Sequence, residues 1–299
     1  MGYSVGTSGG GGFLFPQGPP QELYRREDRE DNTVWIKELD IARRAAREAG
    51  EILLRKLGRI NRISKKGEID LVTEADLASE EAIVGIIREH FPRDSILTEE
   101  SGEYRNRPDR VWLVDPLDGT TNFAHGFPFF ALSLALEVKG DLVVGIVYNP
   151  RMNEFFEALK GGGAFLNSRP VHVSPTKTLN EALCATGFPY DIRERHKEIL
   201  SRFREMIIRA QGLRRPGSAA LDLCYVAAGI FDAFWEEGLK PWDTAAGALI
   251  LNEAGGRTTD FKGRPFTPYM DTLAATNGLL HQEMLSALER GSDPLEIPG

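Results

Sequence analysis

What most constrains this chain is its run of strands between residues 111 and 173. Apolar stretches follow one another there with little but turn residues between them: VWLVD, ALSLALEV, DLVVGIVYN, NEFFEAL and RPVHVS. Segments of that length, rich in Val, Ile, Leu and Phe and punctuated by Gly and Asn, read as strands. Gly161 to Gly163 fall between two of them and read as a hairpin bend, not a ligand loop. After residue 180 the pattern changes to strands alternating with helices, which are expected near 194–210, 218–229, 242–254 and 279–290. Strands first and alternation later predict two packed α/β halves, about 32–175 and 176–290, inside one domain spanning 32–299.

The chain before the strands divides into a tail and two helices. Seven glycines and three prolines lie in the first 20 positions, and a charged stretch follows from Glu22 to Asp31. Such a composition buries too little apolar area to offset its ordering entropy, so residues 1–31 are expected to be a disordered extension. The run Gly9 to Gly12 lacks the Gly-Lys-Ser/Thr ending of a phosphate loop and is not one. Folding is expected to begin at Asn32 or Thr33, either of which suits a helix cap. Ile36, Leu39, Ala45, Ala46, Ala49, Ile52 and Leu53 then form a helical stripe that ends by Gly58. A polar loop, Ser64 to Asp70, leads to a second helix from about Asp76 to Phe91, with Ile83, Ile86 and Ile87 inward.

Composition excludes several functions. A formal net charge of −8 argues against general binding to nucleic acid or an anionic membrane. No apolar run approaches the ~18 residues of a membrane span, and no basic start precedes an apolar core, so no signal peptide is expected. Cys184 and Cys224 sit in apolar surroundings and are expected to be reduced core residues of a cytoplasmic protein.

The chemistry concentrates in VWLVDPLDGTTNF, residues 111–123, an apolar strand that stops and presents Asp115 and Asp118. Pro116 pushes the residue before it towards extended geometry, and Gly119 permits a tight turn. Two carboxylates this close repel unless a cation lies between them, which suits a hard divalent ion such as Mg²⁺. The plain alternative is a strand-to-turn junction in which Asp and Gly are ordinary turn residues. Two more clusters repeat the arrangement. Ile96 to Thr98 run into Glu99 and Glu100, and Pro241 and Trp242 open a helix with Asp243 in its first turn. Each alone reads equally as solvated loop charge or as an acid complementing a helix dipole. Together they are three apolar elements whose ends deliver carboxylates, and in open α/β sheets ligand sites gather at such ends.

With these segments in hand, the chain resembles the inositol monophosphatases of the Mg²⁺-dependent, lithium-sensitive phosphatase superfamily, and the bacterial members in particular. The motifs are Asp70-Leu71-Val72-Thr73 with Asp76, TEES at 98–101, DPLDGTTNF at 115–123, RRPGSAALD at 214–222, PWDTAAG at 241–247 and the pair Gly255-Gly256. YNPRMNEFF at 148–156 and ATGFPYD at 185–191 are similar to the bacterial branch. The likeness runs from about residue 33 to 290, and the ordered set is far more specific than any one motif. It implies a five-layer α-β-α-β-α sandwich of the inositol monophosphatase and fructose 1,6-bisphosphatase type, with a metal site between the halves.

Residue by residue, the resemblance implies that Glu99, Asp115 and the Leu117 carbonyl hold one Mg²⁺ and that Asp115, Asp118 and Asp243 hold a second. A third, weaker ion would involve Glu99 and, through water, Asp76. Thr120 would hydrogen-bond the attacking water while Asp76 accepts from the threonine hydroxyl, and the N–H groups of Gly119 and Thr120 would cradle the phosphate. Gly217, Ser218 and Ala219 would border the sugar ring. Glu237 would accept from ring hydroxyls, unless it is one exposed member of the acidic pair with Glu236. Lys65 and Lys66 belong to the loop that closes over the site in the family. His90, His125, His172, His196 and His281 lack metal-ligand spacing and are taken as surface or structural residues. The implied activity is Mg²⁺-dependent hydrolysis of myo-inositol 1-phosphate by a homodimer. Fructose 1,6-bisphosphatase, another sugar or nucleotide phosphatase, or a regulatory protein on the same scaffold are the alternatives. TEES, GSAALD and the Glu237 position favour the inositol branch. The role of Arg214, Arg215 and Pro216 stays open between shaping the pocket and supporting a subunit contact.

Overall fold

The computed structural model describes residues 34–58, 63–65 and 71–292. Expectations for residues 1–31, Asn32, Thr33, Lys66 and Asp70 lie outside these, as does the side chain of Lys65. The elements in chain order begin with α1 (Ile36–Lys56), β1 (Ile63–Lys65), β2 (Leu71–Thr73), α2 (Glu74–His90), β3 (Asp94–Thr98) and β4 (Gly102–Tyr104). Next come β5 (Arg107–Asp118), α3 (Thr120–Ala124), β6 (Ala131–Val138), β7 (Asp141–Asn149), β8 (Glu154–Leu159), β9 (Gly163–Leu166) and β10 (Arg169–Pro170). The second half holds β11 (Leu183–Thr186), α4 (Ile192–Ile207), β12 (Gly212–Arg214), α5 (Ala219–Ala227), β13 (Ala233–Glu237), α6 (Pro241–Glu253), β14 (Arg257–Thr259), β15 (Thr272–Thr276) and α7 (His281–Arg290).

An eight-stranded sheet has the order β10-β9-β8-β7-β6-β5-β3-β4, and a five-stranded sheet the order β12-β11-β13-β15-β14. Within the first, only β3 and β5 run parallel. In the second, β11 is parallel to both its neighbours and β15 antiparallel to both of its own. Three apolar clusters separate five layers. The first joins the stripes of α1 and α2, including Leu39, Ala46, Ile83 and Ile87, to one face of the large sheet. The second fills the space between the sheets with α5 and α6, and the third packs α4 and α7 on the far face of the small sheet. That is the five-layer arrangement the resemblance implied. Strand alternation does the sorting: Phe234 of β13 faces the middle layer, whereas Ala233 and Trp235 face the outer one.

Three expectations change in detail. The helix of the opening stripe begins at Ile36 with no side-chain cap. The strand ahead of Asp115 does not stop there but runs on to Asp118, with its register against β6 broken between Asp115 and Asp118. Pro116 explains the break, because it has no N–H for the ladder and forces an irregularity that re-aims the side chains around it. RPVHVS is not a full strand either. Arg169–Pro170 pair with β9 and the Val171 N–H donates to Ala164 O of the same strand, after which the Val173 N–H donates to Ala254 O at the end of α6. Proline on a sheet edge ends pairing readily, and the chain leaves here for the second half. Cys184 and Cys224 are buried free thiols, as expected.

Candidate active site

Loops from both halves enclose a hollow of ≈ 300 Å³. The first half contributes Glu99, Asp115 and the run Leu117 to Asn122, and the second contributes Gly187 to Tyr190, Arg215, Gly217 to Ala219, and Glu236 to Asp243 except Pro241. All four acids expected to bind metal therefore share one concavity.

Each is delivered by a recognisable local device. Glu99 follows β3, and the turn it opens is held by Glu80 of α2, whose two oxygens accept from the Glu100 and Ser101 N–H groups at 3.0 Å each. Asp115, only 1% exposed, accepts from the Leu117 N–H at 2.9 Å. The break at Pro116 is pinned by Ser79, whose hydroxyl donates to the Pro116 carbonyl at 2.9 Å. Asp118 lies against the start of α5, accepting from the Ser218 hydroxyl at 2.6 Å and the Ala220 N–H at 2.8 Å. Asp243 stands in the first turn of α6 behind Pro241 and accepts from the Lys240 N–H at 2.7 Å.

The electrostatics follow from that crowding. Burial, then the charges of Glu99, Asp118 and Asp243, drive the Asp115 carboxyl well above the carboxylate range. Burial and then Asp118 do the same to Asp243. Burial also pushes Asp118 up to about 6, against the opposing pull of its hydrogen bonds to Ser218 and Ala220. Among the described residues no group of three or more acids, histidines or cysteines is gathered closely enough to hold a metal ion as it stands. Asp115 and Asp243 each have one oxygen engaged by a backbone N–H, and Asp118 has one engaged by the Ser218 hydroxyl and the Ala220 N–H. Mutually repelling carboxylates and a backbone carbonyl are the donor chemistry of a hard divalent cation, so the residues fit Mg²⁺.

Thr120 and Asp76 are brought together across the chain. The Thr120 hydroxyl lies 3.1 Å from Asp76 Oδ1 and 3.0 Å from the Leu117 carbonyl, and it can donate to one of them at a time. The other Asp76 oxygen accepts from the Thr73 N–H at 2.9 Å and hydroxyl at 2.5 Å. Gly119, at φ +89°, makes the turn between the metal acids and α3. A β-carbon there would come within 3.0 Å of the Phe129 carbonyl and 3.1 Å of the Gly217 carbonyl, so glycine is required twice over.

The two adjacent acids of β13 part company. Both carboxylate oxygens of Glu237 are taken by α4: Arg202 Nη1 donates to Oε1 at 2.7 Å and Arg195 Nη2 to Oε2. Glu236 lies on the opposite strand face with Phe234, and its carboxyl is raised to about 8 by burial, with Asp243 and Asp118 adding to the rise and Arg215 opposing it. Glu237, expected to meet ring hydroxyls, lines the hollow with its carboxylate bound to α4, whereas period-2 alternation turns Glu236 towards Asp243 and Asp118. Reading the β13 register would have found it. Gly217, Ser218 and Ala219 line the hollow, with Ser218 also securing Asp118 and capping α5. Arg215 lines it too, its guanidinium 5.7 Å from the centre of the Phe188 ring.

The profile of the inositol monophosphatase family matches residues 35–292. The chain belongs to that family. It is 42% identical over 252 residues to an inositol-1-monophosphatase of Synechocystis, covering 84% of this chain and 88% of that one. Similarity extends to a Nus factor SuhB of Pseudomonas aeruginosa, 47% identical over 232 residues, or 75% of this chain and 86% of the relative. Among solved structures, the inositol monophosphatase of Anabaena superposes with a TM-score of 0.79 at 43% identity, over 87% of this chain and 97% of that one.

Proposed function

We propose that this protein is a Mg²⁺-dependent phosphomonoesterase whose substrate is myo-inositol 1-phosphate or a closely similar polyol phosphate. The observation that carries the reading is the convergence of Glu99, Asp115, Asp118 and Asp243 on one hollow. Two of these acids, Asp115 and Asp243, are pushed towards protonation by burial and by the others. Glu99, Asp115 and the Leu117 carbonyl would hold one ion; Asp115, Asp118 and Asp243 would hold another; Asp76 and Glu99 would assist a third. Bound Mg²⁺ lowers the pKa of a water and stabilises charge on the departing oxygen.

The chain's own groups do the positioning. Thr120, oriented by Asp76 and the Leu117 carbonyl, presents a hydroxyl that orders the attacking water. The N–H groups of Gly119 and Thr120 open a short helix and face the phosphate oxygens. Glu236 accepts from hydroxyls of the polyol ring, beside Gly217, Ser218 and Ala219. Phosphoryl transfer asks for little more than such placement and charge stabilisation. Steady-state phosphate release with Mg²⁺ tests the reading, with inositol 1-phosphate expected to outpace fructose 1,6-bisphosphate. Normal turnover in Asp118→Asn would refute the site.

A second reading draws on the relative named Nus factor, which favours a macromolecular partner in addition to catalysis. Capture of one defined partner that persists in Asp243→Ala supports it, and loss of capture with the metal site ties the two roles together.

A further inference from the structure

The bond set of Glu237 is unusual for a residue on the rim of an active site, since its whole carboxylate is spent on a helix of the outermost layer. Arg202 and Arg195 project from α4 to grip it. Helix α4 needs such a grip. Of its 16 residues only Ile199, Ser201 and Met206 are buried, whereas eight of the 13 in α6 are. A surface helix with so small an apolar stripe is weakly held by packing alone.

What α4 carries is the wall of the hollow. The segment Gly187 to Tyr190 lines the site and runs directly into α4, which opens at Ile192. Phe188 packs edge-on against Phe203 of α4, ring centres 5.9 Å apart, and takes the Arg215 guanidinium on its ring. Gly187 lies flush on Glu236, so close that a β-carbon would fall 2.0 Å from a carboxylate oxygen. Pro189 abuts Gly238, where a β-carbon would come within 3.0 Å. Movement of α4 would therefore shift Phe188 and free the backbone that confines Glu236.

We propose that Glu237, Arg195 and Arg202 form a positioning clamp that fixes α4 and thereby the 187–190 wall, setting affinity for the non-phosphate part of the substrate. Glu237 lines the hollow, but its carboxylate bonds to α4 and to none of Asp115, Asp118 and Asp243. This rests on the proposed phosphatase reading, and it predicts a change in KM rather than kcat.

The test compares Glu237→Gln, Arg202→Met and Arg202→Lys in the full-length protein. Glu237→Gln and Arg202→Met are expected to raise KM for inositol 1-phosphate about tenfold. Their kcat, their half-saturating Mg²⁺ and their inhibition by inorganic phosphate should each stay within about twofold. Arg202→Lys, which keeps the charge, should recover to within about threefold of the parent. Arg195→Ala, at a half-exposed side chain, gives a milder rise should the others fail to fold. Loss of kcat with KM unchanged, or no change in either, overturns the clamp. Hydrogen exchange across residues 187–207 is the readout independent of substrate and should quicken at least tenfold in Glu237→Gln. Unchanged exchange overturns the clamp even in a protein inactive on inositol 1-phosphate, while quickened exchange in such a protein overturns only the phosphatase reading.

Discussion

Two places in this molecule take carboxylates out of water, and they solve the problem in opposite ways. Between α1 and the large sheet, Glu157 of β8 is 1% exposed and receives Arg43 of α1 on both oxygens, Nε at 2.6 Å and Nη2 at 2.9 Å. That pair is closed: planar guanidinium on planar carboxylate, with the donor geometry satisfied inside the protein. Between the two halves, Asp115, Asp118 and Asp243 have hydrogen bonds on one oxygen each and face one another with the rest of their charge. One buried acid is finished by the fold; the others are left to be finished from solution. A protein retains repelling buried acids at a cost in stability, and function is the physical reason to do so.

The sharpest way to break this contrast is to neutralise one acid on each side. Asp118→Asn should reduce Mg²⁺-dependent phosphate release about a thousandfold or more, the scale of losing charge stabilisation at a transition state. In chelator-treated protein it should also raise Tm, because a repelling charge has gone. Arg43→Met should do the reverse: it strands Glu157 and costs about 3–5 kcal/mol in denaturant unfolding, with kcat per folded molecule unchanged.

Metal removal sharpens the comparison further. The folded pKa of Asp118 is about 6, and Asp115 and Asp243 shift the same way, whereas an unfolded aspartate titrates near ~3.9. The folded state thus holds protons that the unfolded chain has released. The contribution of these three acids to the stability of the chelated protein is fullest below ~4 and is lost as pH rises through 6. Saturating Mg²⁺ should abolish that decline, and melting curves from pH 5 to 8 with and without Mg²⁺ check it.

His281 provides a contrast of opposite sign. It is 1% exposed, with Nε2 2.9 Å from the Thr259 hydroxyl and Nδ1 2.9 Å from that of Thr276. Thr259 gives its proton to the Asp260 carbonyl and Thr276 accepts from the Gly278 N–H. The ring therefore donates through Nε2 and accepts at Nδ1, as a neutral imidazole does. Burial lowers its pKa to about 4. The unfolded state protonates first as pH falls, so stability is whole above ~6.5 and drains, by up to a few kcal/mol, between there and 4. His281→Asn should flatten the acid limb of the Tm profile. The smallest effect belongs to Glu253, whose carboxylate holds the Gly161 and Gly163 N–H groups at 2.6 and 2.9 Å. Glu253→Gln should cost about 1 kcal/mol in the same unfolding assay and leave turnover alone.

Much of this was legible in the chain because it depends on short-range pattern. The stripes of α1 and α2, the strands Ala131–Val138 and Asp141–Asn149, and the opening of α6 at Pro241 with Asp243 in its first turn all stand where periodicity and capping put them. Less legible was anything that turns on which face of a short strand looks inward. Glu236 and Glu237 are chemically identical neighbours, and one residue of register decides which faces Asp118 and Asp243 and which meets two arginines. The supports Glu80 and Ser79 were equally hidden, since a glutamate and a serine on a helix announce no partner 20 or 37 residues away.

The sequence by itself determined the family, the layered α/β fold and the set of acids, because segment pattern and motif order are local properties that any environment leaves intact. Tertiary structure decided how those acids are used: it closed Glu157 and Glu237 with arginines from other layers and left Asp115, Asp118 and Asp243 facing one another. That division is physical, because a carboxylate's charge state and partners depend on burial and on groups that only folding brings within a few ångströms.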